Sequence, residues 1–339
     1  MNLLKKVTDV LIYIVFVFIS GISPAQEASL HFDQINYDDD FSPSMISSMI
    51  QNKSGFMWIG TENGLFRYDG YSYKKYARDK QTNGNLSNNH INVIFEDRDQ
   101  NLWIGTNHGL NFYNKNANNF ISLDVTKEKG GSNYIAAFAE DGQSNLWVGT
   151  FGGVKKLKKA TKKLENFNKN SELFKSRVLS LFYDSNYGMF VGTSKGLKCF
   201  DPKTGHQKPL PVELSSNTEL INSKVRKIIK TSKGDLWFAT ESSGAFLFSS
   251  GQKILSQFKH DPGNTASISS NWINDIIQWD QNTVWFATKG GLSLFSNYNK
   301  TFKRIKHNPD NLFSLSDNDL KCFLKDHTGS VWIGTSGGA

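Results

Sequence analysis

Apolar residues recur along this chain in short runs at a long period, a pattern that favours many short strands over helices. A core of four residues occurs seven times in the 339-residue chain: an aromatic residue, then Ile, Val or Phe, then Gly or Ala, then Thr. The aromatic residues of the seven copies, 43 to 48 positions apart, are Trp58, Trp103, Trp147, Phe190, Trp237, Trp285 and Trp332. A period of about 40–50 residues with aromatic and glycine marks is typical of β-propellers.

Two further marks keep the copies in register. Twelve residues before each aromatic residue stands an apolar one, namely Ile46, Ile91, Ile135, Val178, Val225, Ile273 or Leu320. Six residues after it comes a glycine in six copies, whereas the fifth copy has Ser243 there and Gly244 next. One inserted residue accounts for this shift.

Each copy predicts four strands. In the second copy they cover 91–95, 102–106, 110–113 and, more briefly, 120–123. A four-stranded unit with two apolar faces must stack on neighbours, and a ring of units leaves no face uncovered. The sequence therefore predicts an all-β fold, a seven-bladed β-propeller of four-stranded antiparallel blades.

The two ends of the repeat array predict how the ring closes. Residues 32–35 repeat the Phe-x-x-Ile pattern of residues 302–305, so we expect residues 32–36 to add a strand to the last blade. The seventh copy has strands at 320–324 and 331–335, and the sequence given stops at Ala339. We therefore expect the last blade to be incomplete and the chain to be a fragment of a longer polypeptide.

The seven aromatic residues could form a sugar-stacking array, but burial between blades is the favoured interpretation. The threonine of each copy is expected to complete hydrogen bonds between blades. Acidic turns at 97–101, 141–145 and 326–330 resemble Asp-box hairpins and are interpreted as structural.

Residues 1–25 have the pattern of a secretory signal peptide. Lys5 and Lys6 precede an apolar stretch, and Ser23-Pro24-Ala25 offers a small-residue cleavage site. The stretch of about 13 residues is shorter than the roughly 20 that span a bilayer. We therefore expect residues 26–339 to be an exported domain, which makes nucleic acid an unexpected partner.

Charge and chemistry narrow the function further. The formal net charge of +8 favours anionic partners, although the lysine-rich stretch 155–163 could equally be a solvated strand edge. No catalytic constellation stands out, and the seven histidines lack metal-ligand spacing. We expect no catalytic residue, no metal site, no cofactor, and no disulfide between Cys199 and Cys322.

Ligand contacts are expected where the scaffold repeats but the residue type varies. The residue just before the first strand of each copy lies, in a propeller, at the mouth of the central channel. The candidates for ligand binding at this rim are His90, Tyr134, Arg177, Lys224, Trp272 and Asp319. The aromatic candidates could stack on a sugar ring and the basic ones could pair with carboxylate or sulfate groups, whereas solvated loop residues are the alternative interpretation.

The motifs Trp58-Ile59-Gly60-Thr61, Gly64-Leu65 and Tyr68-Asp69-Gly70 resemble the two-component regulator propeller repeats. That resemblance implies the periplasmic sensor region of a hybrid two-component histidine kinase, anchored in the inner membrane through downstream parts and acting as a homodimer. It also implies an oligosaccharide ligand. Two alternatives stay open, a secreted propeller enzyme such as a lyase or glycosidase, and a protein-binding scaffold.

Overall fold

Each copy of the repeat folds as an antiparallel sheet in the computed structural model, which describes residues 30–34, 45–79, 84–123, 125, 132–159, 161–167 and 176–338. The chain divides into two compact units, residues 1–33 and 34–339. The predicted signal peptide lies outside the described residues. Residues 30–34 carry no strand, and residues 35 and 36 of the predicted closing strand are also outside the described part.

The first three sheets have four strands each. The first blade comprises β1 (Ile46–Gln51), β2 (Met57–Thr61), β3 (Gly64–Tyr68) and β4 (Tyr73–Tyr76). The second comprises β5 (Ile91–Glu96), β6 (Leu102–Thr106), β7 (Gly109–Asn114) and β8 (Asn119–Leu123). The third comprises β9 (Ile135–Glu140), β10 (Leu146–Thr150), β11 (Gly153–Lys158) and β12 (Lys163–Asn166).

The fourth copy departs from this plan. Its sheet has the three strands β13 (Val178–Asp184), β14 (Gly188–Thr193) and β15 (Gly196–Phe200). Two short helices follow, α1 (Val212–Ser215) and α2 (Thr218–Asn222). The prediction of four strands in every blade is therefore wrong here, because the chain after β15 buries Leu214 and Leu220 on helices instead of forming an outer strand.

The remaining copies return to the repeat. The fifth blade comprises β16 (Val225–Lys230), β17 (Leu236–Thr240), β18 (Ala245–Ser249) and β19 (Ile254–Phe258). The sixth comprises β20 (Ile273–Gln278), β21 (Thr283–Thr288), β22 (Gly291–Ser296) and β23 (Phe302–Ile305). A seventh, smaller sheet has the two strands β24 (Leu320–Lys325) and β25 (Val331–Thr335).

The prediction of an all-β propeller with four-stranded antiparallel blades is thus confirmed in its architecture and corrected in its count. The described residues form six blades, five of them four-stranded, and an incomplete seventh sheet. The register is the same throughout: the first residue of each inner strand pairs with the threonine that ends the second strand, as Ile46 does with Thr61. An irregularity follows that first pair in every sheet, as between Ile46 and Ser48.

The repeated aromatic residues lie between neighbouring sheets. Trp103 packs among apolar residues of the third blade, and Trp237 among those of the sixth. Trp58, Trp103, Trp147, Phe190, Trp237 and Trp285 are at most 5% exposed. Trp332 is only partly buried, since it lies on β25, beyond which this sheet has no further strand among the described residues.

The seventh sheet packs on the first blade, so the second unit closes into a ring. Gln51 Oε1 accepts a hydrogen bond from the backbone N–H of His327 at 2.7 Å. The same contact joins consecutive blades elsewhere, where Glu140 accepts from Arg98 N–H at 3.0 Å. Cys322 belongs to the apolar cluster of the first blade, which places the junction in register with the others.

The acidic turns hold the buried indoles. Asp97 Oδ2 accepts from Trp103 Nε1 at 3.0 Å, while its other oxygen accepts from Asn101 N–H at 2.9 Å. Asp141 with Trp147 and Asp326 with Trp332 repeat this bond, at 2.9 and 2.8 Å.

The repeated threonines act within a blade. Each hydroxyl donates to the carbonyl of the turn glycine in its own sheet, as Thr150 does to Gly153 at 2.9 Å. The prediction that they bond between blades is wrong, because the hydroxyl lies above the tight turn that it closes.

Several lysines of the lysine-rich stretch are tied into the structure, whereas Lys158 and Lys163 are exposed. Lys155 is 4% exposed and donates to Asn166 at 2.8 Å. Lys159 binds Asp97 and Glu140 of two neighbouring blades at 3.2 and 2.6 Å. The ammonium of Lys162 lies 3.8 Å from the Phe112 ring centre. These contacts leave less of the positive charge available to a partner than the sequence suggests.

Candidate ligand-binding rim

The six candidate residues occupy equivalent positions at one edge of the sheets. Each precedes an inner strand, and its backbone carbonyl accepts a hydrogen bond from the first residue of the turn between the second and third strands. These pairs, at 2.8 to 3.2 Å, are His90 with Asn107, Tyr134 with Phe151, Arg177 with Ser194, Lys224 with Glu241, Trp272 with Lys289, and Asp319 with Ser336. We call this edge the rim.

An aromatic stack spans the third and fourth blades at the rim. The rings of Tyr134 and Phe151 lie parallel, with centres 3.7 Å apart. The guanidinium of Arg177, an exposed residue, lies 5.1 Å from the Phe151 ring centre. Burial raises the pKa of Tyr134 above its ordinary value, although the charge of Arg226 opposes that shift. This stack offers a flat surface beside a fixed positive charge.

Trp272 is oriented by its own blade and flanked by cations. Its Nε1 donates to Asn274 Oδ1 at 2.9 Å. The Lys289 ammonium lies 3.7 Å from the indole centre, and the Arg226 guanidinium 5.9 Å from it. The negative face of an indole ring attracts cations. Trp272 therefore lies in a positively charged environment.

A single carboxylate organises two of these cations. Glu241, whose side chain is 12% exposed, binds Lys224 at 2.9 Å and Arg226 at 2.8 Å. Burial alone would raise the pKa of Glu241, but the bonds from Lys224 and Arg226 outweigh it and hold that pKa below its usual value. Glu241 is therefore ionised at neutral pH and fixes both basic side chains at the rim.

A pocket of about 570 Å³ opens beside this group. One wall is α2, through Thr218 and Asn222, and the opposite side is formed by Lys224, Glu241 and Trp272. The structure thus brings together two of the predicted candidates, Lys224 and Trp272. Tyr134 and Arg177 lie in the stack, outside the lining of this pocket.

The other two candidates stand apart from the pocket. The carboxylate of Asp319 accepts from Lys321 at 2.7 Å and from the Ser336 hydroxyl at 3.0 Å, so its charge is already bound. The backbone N–H of His90 donates to Asn88 Oδ1 at 2.8 Å, and His90 does not line the pocket.

The inner strands surround a central channel of about 380 Å³. Its charged residues come from the fifth, sixth and seventh sheets. Lys227 binds Asp275 at 2.8 Å, and Asp275 also accepts from the N–H of Phe323 at 2.9 Å. Side chains from the other sheets are apolar or small and polar, such as Ser47 and Leu179.

Sequence analysis missed Phe151, Arg226, Glu241 and Lys289. Phe151, Glu241 and Lys289 are the turn residues that face the candidates, and the repeat positions them as strictly as the candidates themselves. Arg226 follows the aligned first residue of its inner strand, where the sheet is irregular. Variation at these positions among the seven copies could have identified them.

Within the described ranges, no cluster of three or more His, Cys, Asp or Glu side chains is arranged to hold a metal ion. The two thiols are free and buried, and burial raises the pKa of Cys199 to about 11. None of the helices in the described part of the chain is long and apolar enough to cross a membrane.

Comparison with protein families identifies the repeat. The family model described as "Two component regulator propeller" matches residues 85–108, 129–152 and 314–337. A histidine kinase, P4, of Formosa agariphila is 30% identical over 74 residues, which are 22% of this chain and 5% of that protein.

Solved structures extend the similarity over the propeller. The extracellular domain of one hybrid two-component system of B. thetaiotaomicron is 25% identical, with a TM-score of 0.74 over 91% of this chain and 41% of that one. A second such domain from the same organism is 25% identical, with a TM-score of 0.72 over 91% and 39%. This chain thus spans about two fifths of those domains. A streptogramin B lyase, 14% identical with a TM-score of 0.65 over 91% of this chain and 94% of its own, shares the fold alone.

Proposed function

Because the chain carries two-component regulator propeller repeats, we propose that it is the exported ligand-sensing propeller of a hybrid two-component sensor kinase, and that its rim binds an oligosaccharide. The similarity to extracellular domains of hybrid two-component systems supports the sensor assignment. Kinase modules, a membrane anchor and homodimerisation belong to the longer parent protein of this proposal.

The observation that carries the binding proposal is the pocket beside Trp272. Its volume of about 570 Å³ falls within the ~300–1,000 Å³ common for small-molecule sites. Six of its ten lining residues bear a hydroxyl or an amide. Sugar rings bind through an aromatic face for their C–H groups and polar groups for their hydroxyls, and this pocket supplies both.

The pocket lies between several blades, and this position supports a mode of signalling. The pocket takes residues from the turn of the fourth blade, the helix α2, the fifth blade and the sixth blade. An oligosaccharide bound there bridges three blades and favours one arrangement of them over others. In a paired receptor, that preference shifts the equilibrium between two arrangements of the two copies.

Titration calorimetry of the protein with a panel of neutral and acidic oligosaccharides tests the proposal. We expect at least one glycan to bind, and Trp272→Ala to weaken that binding by about tenfold or more, roughly 1.4 kcal/mol. Tyr298→Ala is the matched control, since Tyr298 is 81% exposed and lies at the opposite edge of the sheets.

The same preparations separate the rival functions. Cleavage or elimination of a glycan, followed by chromatography of the products, would identify an enzyme and refute a sensor. Absence of binding across the panel, with a folded protein, would favour a scaffold for protein partners.

A further inference from the structure

The pocket is lined by one basic residue, Lys224, and two acidic ones, Glu219 and Glu241, and further basic residues lie around it. Arg226 and Lys289 lie near the Trp272 indole, Lys224 lines the pocket with it, and Glu241 pairs with Lys224 and Arg226. No ion pair joins Lys289 to a carboxylate in the portion of the chain that the structure covers. This group therefore carries two net positive charges.

The remaining carboxylate of the pocket is neutralised from outside. Glu219 on α2 binds Lys259 at 2.7 Å and accepts from Gln257 at 2.6 Å. The Glu241 carboxylate is likewise neutralised, because one of its oxygens binds Lys224 and the other binds Arg226. The exposed Lys224 lines the pocket, and the exposed Lys289 lies over the ring of Trp272, which also lines it.

The helix α2 closes one side of this group. It follows α1 in the segment after the third strand of the fourth blade, where the other complete blades have an outer strand. Gly196 lets it approach, because a Cβ at this position, with φ of +109°, would lie within bonding distance of the Ile221 carbonyl oxygen. The Ser223 hydroxyl contacts Ser243 of the next blade at 2.7 Å. The C-terminal end of α2 is therefore held against both the fourth and the fifth blade.

We propose that this pocket selects an acidic sugar residue, a uronate or a sulfated monosaccharide at the end of an oligosaccharide, with α2 as the wall that limits its size. The proposal rests on the proposed function and names the chemistry of its ligand. The carboxylate or sulfate pairs with Lys224 and Lys289, which become charge-assisted donors. Lys289 moves from the indole of Trp272 toward the anion, and the pyranose ring packs on that indole. The hydroxyls of α2 and Ser243 form hydrogen bonds with the ring hydroxyls.

The test compares charged and neutral forms of one glycan on the intact protein. The probes are tetragalacturonate, its methyl-esterified neutral form, and a sulfated tetrasaccharide of carrageenan, each titrated by calorimetry at low and high salt. We expect one acidic probe to bind at least tenfold more tightly than the neutral one. Lys224→Gln and Lys289→Gln should each weaken that binding about tenfold, whereas Lys233→Gln, an exposed lysine near the opposite turn, should leave it unchanged.

A steric variant tests the wall. Asn222 on α2 is exposed and lines the pocket, so Asn222→Trp should fill the pocket and abolish acidic-glycan binding while the Tm stays unchanged. Equal binding of neutral and acidic probes, or acidic binding that survives Asn222→Trp and both lysine variants, would overturn the subsite and leave the sensor proposal standing. Binding of neither the acidic nor the neutral probes would overturn both.

Discussion

At the residue scale, the bond between a buried indole and a turn carboxylate distinguishes otherwise equivalent positions. Trp103 and Trp58 are each 1% exposed at the same repeat position. Trp103 donates to Asp97, whereas Trp58 Nε1 has no hydrogen-bond partner in the described part of the chain. The two residues thus form a matched pair for measuring this bond.

Trp103→Phe should therefore destabilise the protein by about 1.5–3 kcal/mol more than Trp58→Phe, the range for a hydrogen bond to a charged group. Both substitutions delete the same atoms from a buried site, so the cost of the cavity is shared. Urea unfolding of the two variants measures the difference. Equal losses would mean that the indole–carboxylate bond contributes nothing net.

The same carboxylates make stability depend on pH. Burial raises the pKa of Asp97, but bonds from Trp103 and Asn101 outweigh it and hold that pKa below its ordinary 3.8. Asp141 behaves alike, with Asn145 and Trp147 as donors. A folded-state pKa below the unfolded one contributes stability above about pH 4, which is lost as pH falls through the folded pKa.

We accordingly expect the Tm to decline as the pH falls below about 4. Asp97→Asn should lower the Tm at pH 7 and make the Tm depend less on pH in acid. Asp310→Asn, at an exposed position, should change neither. Thermal unfolding across a pH series provides the measurement. An acid decline of the same slope in Asp97→Asn would show that other carboxylates control it.

At the element scale, the helices of the fourth blade replace an outer strand with buried leucines. Leu214 on α1 and Leu220 on α2 are both 0% exposed, whereas Val212 on α1 is 70% exposed. Leu214→Ala and Leu220→Ala should each cost about 2–5 kcal/mol, and Val212→Ala within about 0.5 kcal/mol. Chemical unfolding tests this, and a small loss for both leucines would mean that the helices are not packed on the blade.

The strands were predictable from the sequence and these helices were not. The repeat marks, such as Ile91 and Trp103, specify the inner strands because the core between blades demands the same residue types seven times. The helices have four and five residues, too short for a helical period to emerge. Position in the repeat was enough to place all six candidates at the rim. Their partners come from other turns and strands, so the pairing of Glu241 with Arg226 could be seen only in the structure.

At the scale of the whole molecule, the ring closes where the first blade packs on the seventh sheet. Ile46 on the first blade and Ile273 on the sixth hold the same repeat position, and both are 0% exposed. Ile46 packs toward the seventh sheet, where a Cβ at Gly334 would lie 2.8 Å from its Cγ2. The closing junction therefore buries its isoleucine as fully as an interior junction does.

Ile46→Ala and Ile273→Ala should consequently destabilise the protein by similar amounts, about 2–5 kcal/mol each. Denaturant unfolding with a single cooperative transition for both variants would agree with a closed ring. A loss at Ile46 well below that at Ile273 would contradict it, because an isoleucine at an open end of the ring is only half buried.

The proposed ligand binds at the rim, beside α2 and Trp272, and the position of that contact can be measured. Hydrogen–deuterium exchange with the tightest-binding glycan of the panel, compared with the free protein, locates the contact directly. We expect slower exchange in residues 218–224 and 241–244, with the opposite turns 97–101 and 326–330 unchanged. Protection confined to those opposite turns, or to the outer strands, would contradict it.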